Sequence, residues 1–166
     1  MALLGALAFY FNRLVRLRNR VDNAWHQIDV QLARRYYLVP RLAGIVEGYA
    51  AHESETLESA ARALDRAGKA VRVGDRALAE NILTDALSSL TMLAERYPNL
   101  KADREFGKFQ KELSVTEGRI AGARKYYNGT VMQYDNGRQS FPANLVARLL
   151  SRSFSDREYF EMEEPS

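Results

Sequence analysis

Residues 106–139 read FGKFQKELSVTEGRIAGARKYYNGTVMQYDNGRQ, and their spacing decides the fold. Phe106, Leu113, Ile120, Tyr127 and Tyr134 stand seven apart, and Phe109, Thr116, Ala123 and Thr130 fill the alternate seam. On a helix that period gathers the apolar residues on one side, so the stretch predicts a single rod from about Ala102 to Gln139. Gly118 and Gly122, one turn apart, predict close approach of a neighbouring helix at that point. Phe141-Pro142 stops the pattern, and a short helix follows over Leu145–Leu150.

Upstream, Leu14, Leu17, Val21, Ala24/Trp25, Ile28, Leu32, Tyr36 and Val39 recur at three- and four-residue steps, which predicts one long amphipathic helix. Trp25, beside Val21 and Ile28, is expected to be mostly buried at a helix crossing. At Pro40 either a new helix starts or the long one kinks. A second series runs Leu42, Ile45/Val46, Tyr49, Leu57, Ala60, Leu64 and Ala67, ending in a loop over Gly68–Asp75 with Asp75 as a cap. A third runs Leu78, Ile82, Ala86, Leu90, Leu93 and Tyr97, closed by Pro98-Asn99. Four long patterns with short connections predict an all-α fold: an antiparallel up-down bundle of four long helices with a short C-terminal fifth. The organisation expected is an apolar segment over 1–11, the bundle over 12–154 and an acidic flexible tail over 155–166.

The composition fits one globular domain. The chain has 166 residues, 46% of them apolar and 27% charged, which excludes a disordered or polytopic membrane protein. It has no cysteine, so disulfides, thiolate zinc sites and thiol nucleophiles are excluded. A net charge of +3 is too small to argue for nucleic acid, and the arginines lack the interleaved exposed aromatics of a nucleic-acid reader.

The start of the chain is different in kind. Residues 2–11 carry no charge, and Leu3, Leu4, Leu7, Phe9, Tyr10 and Phe11 are their large apolar members. A helix crossing the hydrocarbon needs about 20 such residues, so the run is about half a span. Three readings stay open: the inner half of a transmembrane helix that begins upstream, a shallow interfacial anchor, or the apolar first turns of a soluble helix. Arg13, Arg16, Arg18 and Arg20 follow at once, with no breaker between. At a bilayer they would meet lipid headgroups and place the rest of the chain in the cytoplasm; otherwise they are a solvated basic flank. The first helix of the bundle is thus expected to extend at its N-terminus into an apolar membrane segment.

Few residues suggest catalysis. Asp22, His26 and Asp29 can share one helix face and hold a divalent metal, but that face is the polar one. His52-Glu53 opens like a zinc-protease helix, yet Thr56 stands where its second histidine must be. Glu47, Glu53, Glu55 and Glu58 suggest a di-iron bundle, but neither histidine has the glutamate three residues earlier that such a site uses. No Gly-x-Ser-x-Gly elbow, phosphate loop or dinucleotide turn occurs. The expectation is no catalytic residue, no metal site and no cofactor.

The segment from Leu14 to Trp25, then Gln27–Leu32, Arg34-Arg35, Leu38-Val39-Pro40, Gly48-Tyr49-Ala50, His52-Glu53 and Glu95–Ala102 resemble the LemA family in order. So do Glu117, Arg119-Ile120, Ala123-Arg124, Tyr127-Asn128, Val131, Tyr134 and Phe141-Pro142, while Tyr37, Arg41 and Gly118 depart from its usual pattern. The resemblance implies a bacterial protein with one N-terminal transmembrane helix, a helical bundle behind it and no known enzymatic activity. It also implies association with membrane-linked zinc proteases or, in one branch, with magnetosome membranes. Among the motif residues, Asn19, Asn23, Arg35, Arg124 and Asn128 fall near helix seams, where buried polar groups need partners, and are expected to form an interhelical polar network. The function expected is a membrane-anchored, non-enzymatic scaffold or adaptor at the cytoplasmic face. Its partners would be the lipid bilayer, a protein such as a membrane metalloprotease, and a second copy of itself. The alternatives are a self-assembling membrane-organising protein or a metal-dependent hydrolase using Asp22, His26 and Asp29.

Overall fold

The computed structural model describes residues 2–162, with side chains from residue 5 onward. Every element among them is helical: α1 (Ala2–Ala50), α2 (Ser54–Lys69), α3 (Val73–Arg96), α4 (Pro98–Lys101), α5 (Arg104–Gln139) and α6 (Ala143–Leu149). The rod read from the heptads is α5, and Phe106, Leu113, Ile120, Tyr127 and Tyr134 are all buried along it. Asp103 starts it, accepting a 2.9 Å hydrogen bond from the Phe106 N–H, one of the donors a helix start leaves without a partner.

Four expectations are corrected. First, α1 runs unbroken through Pro40. Pro40 is exposed, and buried Leu38, Val39 and Leu42 pack on both sides of it, so tertiary contacts hold the helix across the missing hydrogen bond. The reversal falls instead at 51–53, where the apolar series skips from Tyr49 to Leu57. Second, the loop before α3 shrinks to 70–72, and Asp75 lies in the first helical turn, where its charge favours the helix N-terminus. Third, α3 turns Leu78 and Ile82 outward and Ala79, Glu80, Leu83 and Leu87 inward. Fourth, the described residues form six helices rather than five, α4 being a single turn started by Pro98.

The chain forms two compact units. The α2–α3 unit is Val30–Ala121 with Phe160–Ser166. There the later part of α1, α2, α3 and the earlier part of α5 close on one apolar core. Val39, Leu42 and Val46 come from α1, and Ala60, Ala63 and Ala67 from α2. α3 adds Leu83, Leu87, Leu90 and Leu93, and α5 adds Phe106 and Leu113. The alanine face of α2 lets its backbone approach the leucines of α3 closely.

The α6 unit is Met1–Asp29 with Gly122–Tyr159. Here α1 and α5 run antiparallel. The Trp25 and Tyr127 rings lie 5.3 Å apart, and Arg20 donates to Gln133 at 3.2 Å. Leu17 Cδ1 is 2.6 Å from where a Cβ on Gly137 would stand. Gly137 is therefore the close-approach glycine, whereas Gly118 and Gly122 face open space. Trp25 is mostly buried but not enclosed, because Ala24 and Ile28 take the innermost positions. The described part of the acidic tail is tied down: the Tyr134 and Tyr127 hydroxyls donate to the carbonyls of Ser155 and Glu158 at 3.0 and 2.8 Å, and Arg157 pairs with Asp22 at 3.0 Å.

Candidate functional site

Arg35 carries the largest fully buried side chain of the molecule, and it is charged. It arises on α1 within the inward Leu32–Leu38–Val39 stripe, so its guanidinium must be met inside the α2–α3 unit. Its Nη1 donates to Glu80 of α3 at 3.3 Å, and its Nη2 donates to the Thr84 hydroxyl at 2.7 Å. Its Nε lies 3.1 Å from Glu117 Oε1 of α5. Thr84 passes its own proton to the Glu80 carbonyl at 3.0 Å, and the Tyr36 hydroxyl donates to the Glu80 carboxylate. One planar cation thus holds three helices at once, which its fixed fork of donors suits and a lysine point charge does not.

Burial pushes the Glu80 carboxyl above its ordinary value, although the Tyr36 hydrogen bond, Arg35 and Arg76 all pull the other way. Burial likewise raises Glu117, opposed by Arg35 and reinforced by Glu80. Burial and then the hydrogen bond to Glu80 raise the Tyr36 hydroxyl as well. Two arginines face two glutamates, so the cluster is balanced in charge. Glu80 is fully enclosed and cannot meet a substrate; Glu117 and Thr84 alone of the set reach a groove of about 310 Å³ between α3 and α5, whose other walls include Leu87, Met92 and Leu113.

A second polar group caps one end of the same unit. The Tyr97 hydroxyl hydrogen-bonds His52 Nε2 and donates to Glu53 at 3.0 Å, and Arg96 also pairs with Glu53. Tyr49 donates to Asp103 at 2.7 Å. The Phe106 N–H first, and Tyr49 second, hold the Asp103 carboxyl below the ordinary range. The Gly48-Tyr49-Ala50, His52-Glu53 and Arg96-Tyr97 motifs, far apart in sequence, meet here as a clasp over the helix ends.

The sequence-expected residues distribute differently. Asn19 and Asn23 are exposed, Arg124 and Asn128 are half-buried with partners of their own, and Arg35 belongs to the other unit with carboxylates rather than asparagines around it. Asp22 is engaged by Arg157 and His26 is exposed. Among the described residues no three histidines or carboxylates converge on a point that could hold a metal. Glu80 was missed as a partner because an acid inside an alanine–leucine series reads as an outward residue; the arginine on the inward stripe of α1, about nine turns from its start, was the available signal.

At the start of α1, Leu7, Phe9 and Phe11 are exposed and Tyr10 is half-exposed, while the side chains of Leu3 and Leu4 lie outside the described residues. Arg13, Arg16 and Arg20 are exposed; Arg18 donates to the Ser153 carbonyl at 3.3 Å and lies 6.0 Å from the centre of the Phe154 ring. Among the described residues no helix is long and apolar enough to cross a membrane. A cavity of about 560 Å³ in the α6 unit is lined by Arg138, Arg148 and Asp156, and Arg138 is held by Asp156 and, at 3.7 Å, by Asp135.

These features define a strand-free helical protein, over its described residues, whose polar residues clamp helices together. Residues 24–166 match the model of the LemA family, and the chain belongs to that family. It is also similar to Protein LemA of Metamycoplasma hominis, 26% identical over 150 residues that cover 86% of this chain and 68% of the relative.

Proposed function

We propose that the chain is a non-enzymatic scaffold or adaptor held to the cytoplasmic face of a bacterial membrane through the start of α1. The observation that carries this reading is the abrupt change along one exposed helix, from Leu7, Phe9 and Phe11 to Arg13 and Arg16. Apolar side chains left exposed on the helix favour lipid, and arginines one turn later favour anionic headgroups on the cytoplasmic side. The enclosed ion cluster supports a structural rather than a catalytic use of the buried charges, since Glu80 is closed to substrate.

Membrane fractionation tests it. The intact chain should sediment with membranes, and deletion of residues 2–11 should release a folded bundle, because the buried seam of α1 starts at Leu14. An intact chain found wholly in the soluble fraction, or a deletion variant that stays with the membrane, would overturn the anchor. A second reading, self-assembly at the membrane, is favoured by the outward Leu78, Ile82 and Met92 of α3. Cross-linking in native membranes separates it from a monomeric adaptor bound to a membrane metalloprotease.

A further inference from the structure

The α6 unit carries an apolar surface that the anchor does not explain. α6 is amphipathic in an unusual sense. Ala143, Val146 and Ala147 pack inward, while Leu145 and Leu149, one turn apart on the opposite face, are 56% and 80% exposed. Phe141, in the turn just before, is 80% exposed, and Leu150 just after is 38% exposed. Four large apolar side chains in ten residues are far more than a solvated seven-residue helix needs, and Arg148 and Arg152 stand exposed among them.

The helix register within the unit says where this surface lies. Tyr127 meets Trp25, Gln133 meets Arg20 and Gly137 meets Leu17, so each step up α5 is a step down α1 towards its apolar start. The end of α5 at Gln139 is therefore level with the first arginines. The chain beyond α6 then returns to the same level: Ser153 accepts from Arg18, and the Phe154 ring meets the Phe11 ring edge-on at 5.7 Å. Phe141, Leu145 and Leu149 thus project beside the point where the α1 run changes from apolar to basic.

We infer that the outer face of α6 is a second membrane contact, an interfacial segment that lies in the headgroup layer of an anionic bilayer. The occupant follows from continuity and charge. The buried Phe154 ring, in contact with Phe11, joins the segment after α6 to the apolar start of α1, and the α6 face carries arginines at its edge. A seven-residue helix with a leucine face, an arginine at its edge and an exposed phenylalanine just before it is far too short to span and lies in the interface plane rather than across it. The inference rests on the membrane reading above and adds a contact that fixes how the α6 unit meets the surface, since a helix anchored at one point alone is free to tilt and spin.

The test uses the full chain in vesicles of phosphatidylcholine and phosphatidylglycerol. Trp25 is the single tryptophan, so Trp25→Phe with Leu145→Trp places one reporter on the face, and Trp25→Phe with Tyr126→Trp places a control 13 residues before the end of α5, roughly 20 Å along the helix. The α6 reporter should shift to shorter wavelength on vesicle addition and be quenched by lipids brominated near the headgroup, while the control stays unquenched. Phe141→Ser/Leu145→Ser/Leu149→Ser in the otherwise intact chain should bind such vesicles at least about tenfold more weakly, with its helical circular dichroism unchanged because all three side chains face outward. A chain that binds vesicles through residues 2–11 while the α6 reporter stays unquenched overturns this inference and leaves the anchor standing. A chain that does not bind vesicles at all overturns both.

Discussion

The two units solve the same problem, burying long helices, in different ways. The α2–α3 unit closes four helical segments on leucine and alanine and admits charge at one place, where Arg35 is matched by Glu80 and Glu117. The α6 unit pairs two helices through aromatic side chains and leaves Phe141, Leu145, Leu149 and Phe9 in the open. Its hydroxyls and arginines tie down extended backbone: Tyr134 to Ser155, Tyr127 to Glu158, Arg18 to Ser153. The difference teaches where specificity comes from in each. In the first unit, an enclosed ion cluster penalises every misaligned arrangement of helices, because each leaves a buried charge without its partner. In the second, ring contacts and surface ties fix the pairing while apolar area remains for something outside the chain.

The sharpest way to break the contrast is Arg35→Ala. It strands two buried carboxylates, and urea unfolding should show a loss of about 3–5 kcal/mol, the usual cost of removing one partner of a buried pair. Arg35→Lys should recover only part of this, since an ammonium cannot serve Glu80, Thr84 and Glu117 in one plane. Trp25→Ala, in the other unit, should cost roughly 1–2 kcal/mol, less than a fully buried aromatic, because its ring is not enclosed and lies tilted against Tyr127.

The pH dependence should sort the carboxylates. Glu80 and Glu117 titrate above the ordinary 4.5 in the folded chain, so just above that value the folded state holds protons that the unfolded state has released. Their contribution to stability is complete below the unfolded value and is lost as pH rises through the folded ones. Denaturant melts at about pH 5 should therefore give a higher stability than melts at about pH 7, and Glu117→Gln should flatten the rise. Asp103 works oppositely: its folded value lies below the ordinary 3.8, and its contribution is lost only as pH falls through that lower range. The smallest effects separate the glycines. Gly118→Ala and Gly122→Ala, with open space at both, should stabilise by about 0.5–1 kcal/mol. Gly137→Ala should yield no such gain, because Leu17 must move aside for the new methyl.

Much of this architecture was legible in the sequence wherever one period ran undisturbed. The heptads of α5 set its length and its buried seam, and the three-four spacing from Leu14 set α1. Legibility failed where charge went inside. Glu80 occupies an inward position of α3, and reading that position as outward rotates the helix by enough to place Leu78 and Ile82 in the core, which is where the sequence put them and the structure does not. Pro40 misled for a related reason: local propensity marks a break, and packing on both sides overrides it. Arg35 was recognised as a polar residue near a seam, but its partners lie 45 and more residues away, and no local pattern names them. The α6 surface could be read as a short helix but not as a face, since burial of Ala143 and Ala147 in preference to Leu145 reverses what hydrophobicity alone predicts.

The Arg35 cluster also bears on how the chain assembles. Its members come from α1, α3 and α5, so docking α3 on α5 buries two carboxylates without their guanidinium, and docking either of them on α1 leaves the cation with one of its two carboxylates. Such half-built states are raised in energy relative to both the open chain and the finished unit. The cluster therefore acts as a checkpoint on folding: it adds little to an interaction between one pair of helices and much to the requirement that all three arrive together. Unfolding of that unit is expected to be all-or-none, with the amides of α1, α3 and α5 around Arg35 exchanging with solvent at one common, slowest rate.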